Sequence, residues 1–180
     1  MTKSEIKISI EKQVLQLNFW QKLSHYGIVL GILIISITIG VLSIKDILSG
    51  NRNHISVKIL SFIIVPFLFT IFFYFLQKKR LRFNIIETNL SLIEIKNIVT
   101  EVAEERKWIR NKNNDYCYVA TTYPGFFSGS WGELITIIFD KNRIYFNSIC
   151  NPNEKSSIIS MGRNRKHYLT LLNQINKASH

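Results

Sequence analysis

Two long stretches of this 180-residue chain carry no charged side chain: Gly27 to Ile44, centred on "GILIISITIG", and Ile59 to Gln77, "ILSFIIVPFLFTIFFYFLQ". At about 1.5 Å per residue each is roughly 27 Å or more as a helix, close to the hydrocarbon thickness of a bilayer. A charge at the bilayer centre costs a few kcal/mol, so two clean runs predict two transmembrane helices. A soluble fold would instead need a partner for every face of both. Charged residues are 19% of the chain, below the ~25% usual for soluble proteins, because the runs hold none. No alanine precedes Ala103, so the first run has no Ala-x-Ala cleavage site and is expected to stay in the protein.

Orientation follows from lysine and arginine. Lys3, Lys7, Lys12 and Lys22 before the first run, with Lys78, Lys79, Arg80 and Arg82 after the second, outnumber Lys45, Arg52 and Lys58 between them. That asymmetry predicts a multi-pass inner-membrane protein with both termini in the cytoplasm. The chain then divides into a cytosolic leader (1–25), a first transmembrane helix (26–45) and a short external loop (46–57). A second transmembrane helix (58–77), a basic juxtamembrane linker (78–90) and a cytosolic α+β domain (91–180) follow. The net charge of +11 suggests nucleic acid until it is divided, since residues 81–180 carry only +4 of it. The remainder flanks the runs, where it orients helices and attracts anionic inner-leaflet lipid at about 1 kcal/mol per residue. Nucleic acid is not an expected partner.

The leader admits two periods. Ile6, Ile8 and Ile10 alternate like a strand, whereas Ile10, Val14, Leu17 and Trp20 fit a helical face. The preferred reading is an interfacial amphipathic helix over about Glu11 to Leu23, with Phe19 and Trp20 at headgroup level. The alternating part is then frayed or adds a strand to the cytosolic sheet. In the first apolar run, Gly27 and Gly31, then Ser36 and Gly40, stand four apart, a spacing that lets two helices approach closely. Packing on the second run is the first expectation, and a homo-oligomer through this face the alternative. Pro66 should kink the second run, whose many phenylalanines suit lipid. Neither run holds the ionisable residue that an ion pathway would show.

Past Arg82 the composition becomes that of a soluble domain. Ser91 and Glu94 form a capping box, and Ile95, Ile98, Val99 and Val102 an apolar stripe, with Glu101, Glu104 and Glu105 on the solvated face. "NKNND" (Asn111 to Asp115) reads as a turn and "YCYVATTY" as a strand. "ELITIIF" and "RIYFNSI" form a hairpin across "DKN", and "SSIISM" (Ser156 to Met161) could add a fourth strand. A last helix from about Arg163 to Lys177 carries Tyr168, Leu171, Leu172 and Ile175 on one face. Helix, three to four antiparallel strands and helix make an α+β fold, the two helices covering one sheet face.

Two segments are candidates for recognition. In "TTYPGFFSGSWGE", Trp131 is expected to anchor the next strand in the core. One of Phe126 and Phe127 is left to touch lipid or a partner, unless the loop folds back over the sheet. In "GRNRKH", Arg163, Arg165 and Lys166 crowd a helix start, where the dipole disfavours positive charge. An anionic ligand bound by amides and guanidinium groups would resolve the conflict. Anionic lipid, or pairing with Glu133, Asp140 or Glu154, would resolve it equally. Cys117 and Cys150 lack metal or redox spacing and are expected as free buried thiols, and the four histidines are scattered. No cofactor, metal or catalytic constellation is expected. The functional expectation is a non-catalytic membrane protein whose helical hairpin anchors a cytosolic binding or scaffold domain. The alternative is an effector or sensor in which an anionic ligand drives assembly of the membrane helices.

Overall fold

The computed structural model describes residues 1–49, 57–123, 131–154, 160 and 162–179. Among them are six helices: α1 (Lys3–Lys12), α2 (Phe19–His25), α3 (Gly27–Leu48), α4 (Val57–Arg80), α5 (Leu92–Glu105) and α6 (Arg163–Ala178). Five strands accompany them: β1 (Asn84–Glu87), β2 (Ile109–Asn113), β3 (Cys117–Thr122), β4 (Glu133–Asp140) and β5 (Arg143–Cys150). The strands make one antiparallel sheet in the order β1-β5-β4-β3-β2. The protein is α+β, and the chain separates into two units: Met1–His25 with Arg80–His180, and Tyr26–Lys79.

In the first unit, β4 is buried along nearly its whole length. Side chains alternate across a strand, so a strand buried throughout needs cover on both faces. On one face Tyr118, Ala120, Ile135, Ile137, Ile144 and Phe146 meet Ile95, Val99 and Val102 of α5 and Leu171 and Ile175 of α6. The other face is met by the leader. Val14 bridges Arg82, the Leu15 amide donates to the Leu81 carbonyl at 2.8 Å, and the Phe83 amide to the Gln13 carbonyl at 3.0 Å. Leu15 and Leu17 are buried, and with Val119 and Leu134 they line a cavity of about 210 Å³. The Lys112 ammonium caps the arrangement, donating to the Met1 carbonyl at 2.7 Å.

Three expectations change, and one falls outside the described residues. The leader is neither a frayed strand nor one helix over Glu11 to Leu23. A capping box of Thr2 and Glu5 starts α1, and Gln13 ends it in the left-handed region (φ 52°). Residues 14–18 lie outside any helix, with Leu15 and Leu17 buried against Val119 and Leu134 of the sheet, and α2 begins only at Phe19. The sheet has five strands rather than three or four. β1 sits where a linker was expected, and β2 takes in part of "NKNND". β2 escapes pattern reading because it is an edge strand, "IRNKN", whose mostly exposed polar side chains guard its open side. The strand expected at Ser156 to Met161 lies outside the described residues, apart from Ser160, which is in none. Finally, Trp131 is half exposed. It precedes Gly132, whose φ of 145° turns the chain before the ladder starts at Glu133, and Trp108 is the tryptophan in the core.

In the second unit α3 and α4 run about 33 and 36 Å. Among the described residues one helix, Gly27–Lys45, is long and apolar enough to cross a membrane, and it is mostly exposed. By length and composition alone it suits a membrane span or a signal sequence. The rings of Tyr26 and Tyr74 lie 5.7 Å apart, tilted by 30°, so the start of α3 lies beside the C-terminal part of α4. Pro66 lies within α4, where the Thr70 hydroxyl donates to its carbonyl at 3.0 Å.

The double-sided sheet gives a direct expectation. Leu15→Ala should destabilise the sheet by about 2–5 kcal/mol, as for other buried leucines, although it lies more than sixty residues before β1. Hydrogen exchange of the β3–β5 amides in detergent-solubilised protein reads this. Unchanged exchange would show that the leader does not hold the sheet.

Candidate functional site

The basic start of α6 sits at the end of the sheet where β4 begins and β5 ends. The sequence places Arg163, Lys166, His167 and Thr170 at i, i+3, i+4 and i+7, one stripe of a helix. Gly162 precedes the helix in the left-handed region and supplies no side-chain cap. The three candidate cations do not act as one group. The Arg163 Nε donates to Glu133 Oε1 at 2.7 Å, and this carboxylate is fully buried. Of the three pairings weighed from sequence, Glu133 is the observed one. Arg165 and Lys166 are exposed.

Behind them lies a layer that the sequence did not single out. The Trp108 indole donates its Nε1–H to His167 Nδ1 at 3.1 Å. Neutral His167 therefore carries its proton on Nε2, which is buried and has no hydrogen-bond partner among the described residues. Glu133 Oε2 is in the same condition. Arg106, at the end of α5, donates to the Thr170 hydroxyl and pairs with Glu105 at 3.5 Å. The Ser148 hydroxyl donates to Asn164 Oδ1 at 2.9 Å. Burial first, then the charges of Arg106, Arg163 and Lys166, lower the His167 pKa to about 4. Near neutrality His167 is uncharged and its acceptor nitrogen is occupied. Donors predominate, which suits an acceptor-rich ligand better than proton transfer. Only a tertiary fold brings residues 106, 108, 133 and 167 together, so no sequence spacing announced them.

The other candidates fall as follows. Phe126 and Phe127 lie outside the described residues. Gly27, Gly31, Ser36 and Gly40 are all on α3. Ser36 is buried and its hydroxyl donates to the Ile32 carbonyl at 2.9 Å, whereas a Cβ added at Gly31 or Gly40 would meet nothing within 4 Å. Cys117 and Cys150 are free and buried, with burial raising the Cys117 pKa. No cluster of three metal-ligating side chains occurs among the described residues.

The chain matches no protein-family model, and no curated protein and no solved structure shows significant similarity to it. Fold and site together define an α+β protein with one apolar N-terminal helix long enough to span a bilayer.

His167 makes the fold sensitive to acid. Its folded pKa is lowered from 6.5, so the unfolded chain binds the proton more readily. Stability is then complete above about pH 6.5 and is lost as pH falls toward 4. Between pH 7 and 5 the loss should be about 2 kcal/mol. Chemical denaturation of the detergent-solubilised chain at both pH values tests this, and His167→Gln should flatten the difference. An equal loss in the variant would assign the sensitivity elsewhere.

Proposed function

We propose that this chain is a non-catalytic, membrane-anchored module. In this reading α3 and α4 cross the inner membrane as a hairpin and hold the α+β body at the cytosolic face as a binding or scaffold domain. One observation carries the reading: the bridge between Val14 and Arg82, with its flanking bonds from Leu15 to Leu81 and Phe83 to Gln13. It joins the segments on either side of Tyr26–Lys79 into one folded body. If α3 crosses a bilayer, the chain must cross again to bring Arg82 back to Val14, and α4 is long enough to do so. A cleaved signal sequence would strip Leu15 and Leu17 from the core. Burial supports the same conclusion, since Ile34, Ile35, Val41 and Leu42 of α3 and Phe72 and Phe75 of α4 are all more than half exposed. Apolar surface on that scale belongs in lipid. The lysine and arginine asymmetry supports a cytosolic position for the folded body. Partners then include anionic inner-leaflet lipid and a protein or small anion.

A Val14→Cys/Arg82→Cys variant tests the hairpin. In carbonate-washed membranes of cells producing it, mild oxidation should yield an intrachain disulfide, with tags on both termini reached only after the membrane is opened. Termini on opposite sides, without the disulfide, would make α3 a single span.

A second reading, an effector or sensor, is favoured by the orphaned Nε2–H of His167 beside Arg106, Arg163 and Lys166. There an anionic ligand would bind at the start of α6 and change the packing of the membrane helices, with Gly27, Gly31, Ser36 and Gly40 as the assembly face. Inorganic phosphate at about one hundred times its Kd should add about 2.7 kcal/mol to stability. Arg165→Glu/Lys166→Glu should abolish that gain, and phosphate should change oligomer size in light scattering. A phosphate response unaffected by the charge reversal would dismiss this site.

A further inference from the structure

We infer that the exposed aromatic residues of α2 and of the adjoining sheet end form a rim that docks the α+β body onto the lipid interface. The inference rests on the anchored reading above. α2 has only seven residues, and at about 100° per residue Phe19, Leu23 and Trp20 fall within roughly 100° of arc. Phe19 and Trp20 are 71% and 72% exposed, their rings packed edge to face at 5.4 Å, and Leu23 is exposed as well. The opposite side of α2 is held by the protein. Gln21 Nε2 donates to Asn153 Oδ1 at 3.1 Å, and the Ser24 hydroxyl to the Glu154 carbonyl at 3.2 Å. The body therefore fixes which way the apolar arc points.

The same loop orients two more aromatics. The Tyr123 hydroxyl donates to Glu154 Oε1 at 3.4 Å, and the Asn151 amide donates to the Gly132 carbonyl at 2.8 Å, next to Trp131. Tyr123 is 55% exposed and Trp131 52%. One loop, Asn151 to Glu154, thus ties α2, Tyr123 and Trp131 to the same end of the sheet.

Lipid is the occupant that continuity selects. Only Tyr26 separates the end of α2 from the start of α3, so a membrane-spanning α3 puts α2 at the bilayer edge. Amphipathic aromatic rings concentrate at that depth. α2 carries Lys22 and no acidic residue, which complements an anionic headgroup layer. Contact at α2 and at Trp131 would hold the body against the bilayer at two points.

The three tryptophans make the rim measurable, because Trp108 lies in the core and serves as reference. The full chain is reconstituted in phosphatidylcholine–phosphatidylglycerol vesicles with acyl chains brominated near the headgroup, and excited where only tryptophan absorbs. Lipid should quench part of the emission. W20F and W131F should each remove part of that quenching, and W20F/W131F should leave the emission of Trp108 almost unquenched. Quenching insensitive to both substitutions overturns the rim, and quenching lost with W20F but untouched by W131F overturns its second point. A shift in emission that follows protein density, without lipid quenching, assigns the rim to a second copy of the chain and overturns lipid. Carbonate resistance is scored separately. A resistant chain without rim quenching refutes the rim and spares the anchor. An extractable chain whose Trp20 and Trp131 are still quenched refutes the anchor and supports the rim.

Discussion

The fold depends on the need to cover both faces of the central strands. β4 and β5 bury almost every side chain, so a single layer of helices cannot complete the core. α5 and α6 cover one face. Among the described residues the other face is met by the leader, which lies before the apolar helices in sequence, and by Leu81 and Phe83, the latter packed edge-on against Tyr145. The leader's helix α1, its buried Leu15 and Leu17 and its bridge to Arg82 make the body discontinuous in sequence and continuous in space. From that one requirement follows the pairing of the residues on either side of the apolar segment. The return point is secured as well, since the Asn147 amide donates to the carbonyls of both Arg80 and Arg82.

The polar layer at the start of α6 follows a different logic. A fully buried carboxylate persists only when paired, and Arg163 supplies the pair to Glu133. With Arg163 so engaged, Arg165 and Lys166 remain as solvent-facing charge. The same helix turn carries His167, neutral because it is buried among cations and positioned by the Trp108 indole. A helix start without acidic residues or a side-chain cap is therefore compensated in part from the sheet.

Legibility varied with the kind of signal. α5 was readable because Ser91 and Glu94 announce its start and four apolar residues mark its buried face. The β4–β5 hairpin was readable from β-forming runs on either side of Lys141 and Asn142. α1 carried the same kind of start signal in Thr2 and Glu5, but the alternation of Ile6, Ile8 and Ile10 masked it. Only Ile6 of those three is buried, which local periodicity cannot reveal. β1 and β2 are short edge strands whose existence depends on a partner already in place. Trp131 stays half exposed instead of anchoring the core, because burial of one tryptophan depends on which loop the sheet leaves outside its ladder.

By itself the sequence determined what is local: two charge-free runs, a capped amphipathic helix, a hairpin and a basic helix start. Those properties rest on period, capping and solvation, and each is decided within a few residues. Tertiary structure alone decided the pairing of Val14 with Arg82, of Glu133 with Arg163 and of Trp108 with His167. It also decided which aromatics stay outside. Burial and buried charge are properties of what surrounds a residue, and here the surroundings come from segments as many as 132 residues apart, on either side of an apolar interruption.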